Sequence, residues 1–196
     1  MDGSIPSYSK ALPARTRYTL TAQALHWLTV PLILAVLPLA WVVQSLPHDD
    51  PNRAWLFVLH RSAGLTILAL VVVRLAWRAA NPPPPLPGGT SRAMELVGRA
   101  THWLLYAAIL LMPISGYLQS GNGRPVSYLG LFNIPGFPKN QAVDDYSRIL
   151  HNAGQWAIYG FVALHVLATV WHVAVRRDGL LSRMLPPQDN TARRPG

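Results

Sequence analysis

Apolar residues along this chain are bunched rather than alternating. Four runs, residues 18–46, 54–77, 95–118 and 149–175, are each long enough to cross a bilayer, for which about 20 residues suffice. Between them lie a short polar link (47–53), a connector with PPPPLPGG at its heart (81–90) and a longer loop rich in Gly, Pro and Asn (121–147). The pattern predicts an all-α, polytopic membrane four-helix bundle of up-and-down topology. Pro31 and Pro38 fall inside the first run, which membrane helices tolerate when neighbours satisfy the freed carbonyls. The Pro-rich connector cannot be helix or sheet and reads as a stiff linker. The long loop is expected to cap one face of the bundle, with room for a short helix. Residues 1–17 form an N-terminal segment, 18–186 the membrane domain and 187–196 a flexible polar tail. Residues 1–17 lack the apolar core of a signal peptide, so the first run is expected to be a retained span.

Composition agrees with this picture. The 196-residue chain is 51% hydrophobic and only 13% charged, against about 25% charged in ordinary soluble domains. The formal net charge of +9 would suggest a nucleic-acid partner in a soluble protein, but here the basic residues flank the apolar runs, where they set orientation. No nucleic-acid partner is expected. The absence of cysteine excludes disulfides, thiolate ligation, iron–sulfur clusters and covalent c-type haem attachment.

The Lys/Arg distribution predicts the topology. The N-terminal segment, the Pro-rich connector with its flanks and the C-terminal segment hold Lys10, Arg15, Arg17, Arg74, Arg78, Arg92, Arg99, Arg176, Arg177, Arg183, Arg193 and Arg194. The other side holds only Arg53, Arg61, Arg124, Lys139 and Arg148. Both termini are therefore expected in the cytoplasm, with the long loop in the periplasm of a Gram-negative cell and the chain in its inner membrane.

Six of the seven histidines fall in the spans; His48 lies in a loop and has no expected role. One histidine in a membrane helix is often a hydrogen-bonded packing residue, but six exceed that explanation, because ionisable groups at such depth are costly and mark sites. His151, His165 and His172 share one face of the fourth run, since steps of fourteen and seven residues at about 100° each return to nearly the same azimuth. Depth suggests partners. His26 lies roughly 13 Å beyond Arg17, and His165 roughly 16 Å before Arg176 on the same side. On the other side His60 is roughly 10 Å past Arg53 and His151 roughly 5 Å past Arg148. The pairs His26–His165 and His60–His151 are each suited to clamp one b-type haem iron from both faces. An iron so held has no open position and serves electron transfer.

His102 and His172 match each other at a shallower depth, about 5 Å from the boundary, and suit a quinone pocket, a haem propionate contact or interfacial packing. Arg61, next to His60, could reach a propionate or snorkel to the interface. Arg53, Arg124, Lys139 and Arg148 either anchor the interface or concentrate a small anion there. Gly64, Gly116, Gly154 and Gly160 serve helix contact. Gly64 and Gly154, each about a turn after a histidine, equally suit a flat macrocycle. Trp27, Trp103 and Trp171 read as aromatic belts. A histidine-based metal or proton transporter remains an alternative from another class.

In order along the chain, ALHWL at His26, LHRSAGL at His60, THWLLY at His102, LHNAGQWAIYGFVALH across His151 and His165, and RRDGLLSRMLP after the last run resemble the bacterial cytochrome b561 proteins. The resemblance covers about residues 18–186. It implies a four-helix dihaem membrane cytochrome with haem ligands at His26, His60, His151 and His165. One branch of that family is a superoxide oxidase, so the resemblance also implies superoxide as a periplasmic donor and ubiquinone as acceptor. Other members accept electrons from a redox protein, and a haem-b anchor subunit of a dehydrogenase or hydrogenase is the alternative within electron transfer.

Overall fold

The computed structural model describes residues 16–86 and 89–186. Lys10, Arg15, Arg193, Arg194 and nearly all of the two expected terminal segments lie outside the described residues. Four long helices dominate: α1 (Leu20–Ser45), α2 (Arg53–Ala80), α3 (Arg92–Ser120) and α4 (Gln141–Trp171). Each is long and apolar enough to cross a membrane. Three begin on a side-chain cap that satisfies an otherwise orphaned N–H. Thr19 Oγ1 accepts from Ala22, Ser91 Oγ from Met94 and Asn140 Oδ1 from Val143. Pro31, Pro38 and Pro113 sit inside helices.

The fourth helix starts eight residues before the apolar run. The charge-bearing turns around Asp144 and Arg148 are helical because Asn140 caps them and an i,i+4 ion pair of 2.5 Å braces them. Hydropathy registers where lipid begins, not where the helix does.

Neighbouring helices in sequence pack closely along the α1–α2, α2–α3 and α3–α4 seams, while α1 and α4 stay apart at the backbone level. A core of Ile67, Val71 and Tyr106, with Leu32, Ile33, Val36, Leu75, Ile109 and Leu110 around it, joins the first three helices. Large apolar side chains such as Leu34, Leu104, Leu111 and Leu167 point outward, as expected where lipid is the solvent.

The chain turns define two ends of the bundle. At the loop end, residues 121–140 hold a hairpin rather than a short helix: β1 (Val126–Tyr128) pairs antiparallel with β2 (Phe132–Ile134). Its turn places Leu129 and Gly130 at φ 52° and 71°, a conformation that ends any helix and that glycine adopts freely. The hairpin caps the bundle, as expected of the loop. Val126 is buried, the Leu129 N–H donates to Ser62 Oγ (2.8 Å), and the Tyr128 hydroxyl bonds Thr66 Oγ1 (2.8 Å).

At the terminal end, α4 runs into one π-helical turn, His172–Arg176, closed by Arg177 in the left-handed region. The short 3₁₀ helix Leu181–Met184 then folds back under the bundle. Tyr18 N–H donates to the Arg183 carbonyl (3.1 Å), Trp27 Nε1 to the Met184 carbonyl (2.7 Å), and Arg183 to the carbonyls of Thr16 and Pro85. This strap ties the start of α1, the Pro-rich connector and the end of α4 into one unit.

Candidate functional site

At the loop end, His60 on α2 faces His151 on α4, with ring centroids 6.2 Å apart and planes at 79°. The local sequence of α3 holds His151. Its Nδ1 donates to the Met112 carbonyl (3.0 Å), with Ser115 Oγ also 3.0 Å away. That bond fixes the proton on Nδ1 and leaves Nε2 as a free lone pair. Gly116 makes room, because a Cβ there would lie 3.0 Å from Cε1 of His151. Gly154 admits Met112 Sδ, 2.6 Å from where its Cβ would be, so it serves the α3–α4 contact rather than a flat ligand. Gly64 does line the space between the rings. That space is a largely apolar cavity of about 300 Å³, bounded also by Val36, Met112 and Tyr159. His60 Nδ1 is buried and has no well-formed hydrogen bond among the described residues, while the Val36 backbone lies close to the ring.

The terminal-end pair repeats the arrangement. His26 on α1 and His165 on α4 have centroids 6.4 Å apart and planes at 77°. Across the gap between α1 and α4 the imidazoles of His26 and His165 face one another, and Trp41 of α1 meets Trp156 and Tyr159 of α4. Arg74 of α2 lies against this pair, its Nη1 3.0 Å from His26 Nδ1. His102 comes within 5.4 Å of His165, centroid to centroid. The depth it shares with His172 does not bring the two together. His172 instead bonds Asp178 (2.6 Å), which also pairs with Arg176 at 3.2 Å. Burial acts to raise the Asp178 carboxyl. The hydrogen bonds from His172 and the Leu180 N–H, with the Arg176 charge, outweigh it and hold the group below its ordinary range.

Both pairs fit one metal between two imidazoles. A metal–nitrogen bond of about 2 Å on each side, plus roughly 1 Å from nitrogen to ring centre, places the centroids about 6 Å apart. Among the described residues no three or more His, Asp or Glu side chains converge as a cage for a bare ion would require. At the loop end His60 and His151 stand as a pair, and at the terminal end His102 lies beside the His26–His165 pair.

Arg61 sits between this cavity and a second, polar one. Its Nε donates to the Phe57 carbonyl (3.1 Å) and its side chain lines both spaces. The second cavity, about 770 Å³, opens at the loop end; Arg53, Arg124, Lys139 and Arg148 line it with Arg61, against Asp50 and Asp144.

A model of the prokaryotic cytochrome b561 family matches residues 17–187. The chain belongs to this family. Cytochrome b561 homolog 2 of Escherichia coli (strain K12) is 31% identical over 172 residues, covering 86% of this chain and 91% of the relative. The protein of Yersinia pestis named probable superoxide oxidase CybB is 26% identical over 173 residues, 87% of this chain and 96% of its own. Cytochrome b561 homolog 1 of E. coli is 28% identical over 178 residues, covering 87% and 97%. This cytochrome b561 is accordingly a bacterial membrane protein that carries haem b and works in electron transfer.

Sequence reasoning missed four participants. Arg74 looked like a charge closing a span, whereas α2 continues to Ala80 and carries it against His26. The support of His151 by Met112 and Ser115 has no signature, since it uses a backbone carbonyl and a common serine. Asp178, partner of His172, lies in the RRDGLLSRMLP stretch and was legible only as part of the family resemblance.

Proposed function

We propose that this cytochrome b561 holds two b-type haems, one between His26 and His165 and one between His60 and His151, and passes electrons along the bundle. The repeated ring geometry, 6.2 and 6.4 Å at the two ends of one helix, carries this reading. Fourteen residues separate His151 from His165, so the two pairs lie about 21 Å apart along α4. Haem held by these histidines would supply reversible one-electron chemistry. The protein's share is to fix the imidazoles, exclude water and set the local charge. Met112 and Ser115 orient His151, and Gly64 and Gly116 leave the space a flat ring needs.

Superoxide is the donor we favour, at the loop end. The polar cavity there holds five cationic side chains against two carboxylates, and Asp144 is engaged with Arg148. Arg53, which lines it, has a buried Nε with no hydrogen-bond partner among the described residues. Such a basin concentrates small anions, and Arg61 links it to the His60–His151 cavity. A quinone at the terminal end is the acceptor, with His102 and His172 the imidazoles nearest that surface. Two superoxides lose one electron each to become dioxygen, and one quinone gains both electrons and two protons to become quinol. The Lys/Arg bias supports placing the termini in the cytoplasm and the basin in the periplasm of a bacterial inner membrane.

The test is a pyridine haemochrome count and a reduced-minus-oxidised spectrum of the purified protein. Two low-spin b haems per chain are expected, and fewer than two ends the dihaem reading. Superoxide generated in the cuvette should then reduce the haems faster than superoxide dismutase permits. Co-purification of a large redox partner, with no response to superoxide, would favour the anchor-subunit role instead.

A further inference from the structure

Among the described residues, Arg74 is a cation without a carboxylate. It sits six residues before the end of α2, about 9 Å inside the helix, and is half-buried. At this end of the bundle, among the described residues, Glu95 is taken by Arg99, and Asp178 by His172 and Arg176. No carboxylate lies within 4 Å of Arg74 among the described residues. Its guanidinium instead rests over the Tyr106 ring at 5.5 Å, and Arg78 one turn on shares the same ring at 5.6 Å. A charge held at such depth calls for an anionic partner.

Its polar contact narrows that partner. Arg74 donates to His26 Nδ1, and a guanidinium has donors only. An imidazole that gives Nε2 to a metal carries its proton on Nδ1 and donates from it. His26 therefore cannot accept from Arg74 and ligate iron through Nε2 at once. An anion with two acceptor oxygens beside the histidine satisfies the guanidinium, and a haem carries two such carboxylates on its edge. Resting on the haem assignment above, we propose that Arg74 anchors a propionate of the haem held by His26 and His165. It is a positioning residue, and it supplies a fixed positive charge beside that haem.

The test uses Arg74→Gln, Arg74→Lys and His26→Ala in the full-length purified protein, each read by haem count and by redox titration followed at the haem bands. Loss of the positive charge in Arg74→Gln weakens the electron affinity of one haem about tenfold, a 59 mV fall for a one-electron couple, or loosens that haem from the chain. The other haem's potential stays where it was. Arg74→Lys restores most of whichever property is lost. Wild-type haem content with both potentials unchanged in Arg74→Gln overturns the proposal, and so does a lysine variant no better than the glutamine one. His26→Ala tests the underlying ligand assignment separately. If that variant keeps two low-spin haems, the assignment itself fails, whatever Arg74 does.

Discussion

Gly116 of α3 and His151 of α4 fit as surface and counter-surface. A Cβ at position 116 would stand 3.0 Å from the imidazole Cε1, closer than side chains normally approach. The same ring is tethered by its Nδ1 to the Met112 carbonyl one turn earlier on α3. The helix face that gives His151 its room thus also gives it its orientation.

Gly116→Val therefore pushes His151 off this face. The expected result is loss of most of one haem per chain, with Gly116→Ala intermediate, measured by pyridine haemochrome and by the low-spin electron paramagnetic resonance signals. Full haem content and an unchanged spectrum in the valine variant would show that the close approach does not position the ring.

Ser62 is buried, accepts from the Leu129 N–H (2.8 Å) and donates to the Val58 carbonyl (2.7 Å). Ser62→Ala takes the acceptor from the hairpin's part-buried N–H, which costs about 1 kcal/mol. The hairpin amides should exchange with deuterium several-fold faster, while the helices keep their protection. Unchanged exchange at residues 126–134 would mean the cap is held by other contacts.

Charge reversal in the polar basin tests its steering role. Arg124→Glu with Lys139→Glu should slow haem reduction by superoxide about tenfold at low salt and less at high salt, because screening weakens long-range attraction. The haem content and the reduction potentials of both haems should not change. An equal loss at all ionic strengths would point to damaged structure instead of lost steering.

The strap under the terminal end has its own pH dependence. The Asp178 carboxyl is held below its ordinary value mainly by its bond from His172, against the opposing effect of burial. A group depressed in the folded state stabilises that state above its unfolded pKa, about 4, and the stabilisation fades as pH falls through the folded value. The strap should hold at pH 5–7 and loosen in more acid solution. Fluorescence of Trp27, whose Nε1 donates to the Met184 carbonyl, reports it. Asp178→Asn should loosen the strap at neutral pH and flatten the pH response. An identical acid transition in that variant would assign the effect elsewhere.

The number of spans, their chain order and the depth of each histidine were set by the sequence alone. Lipid demands long unbroken apolar helices, and the rise per residue is fixed, so position in the chain converts directly to depth. That sufficed to match His26 with His165 and His60 with His151 in height. Which groups meet at a given height depends on rotation about each helix axis and on how far seams open, and neither follows from hydropathy. Tertiary structure alone decided that α1 and α4 stand apart, that His102 turns to His165 while His172 takes Asp178, and that Arg74 reaches His26. It also decided that the long loop is a hairpin seated on Ser62 and Thr66, because short strands gain their stability from what they pack against and not from their own residues.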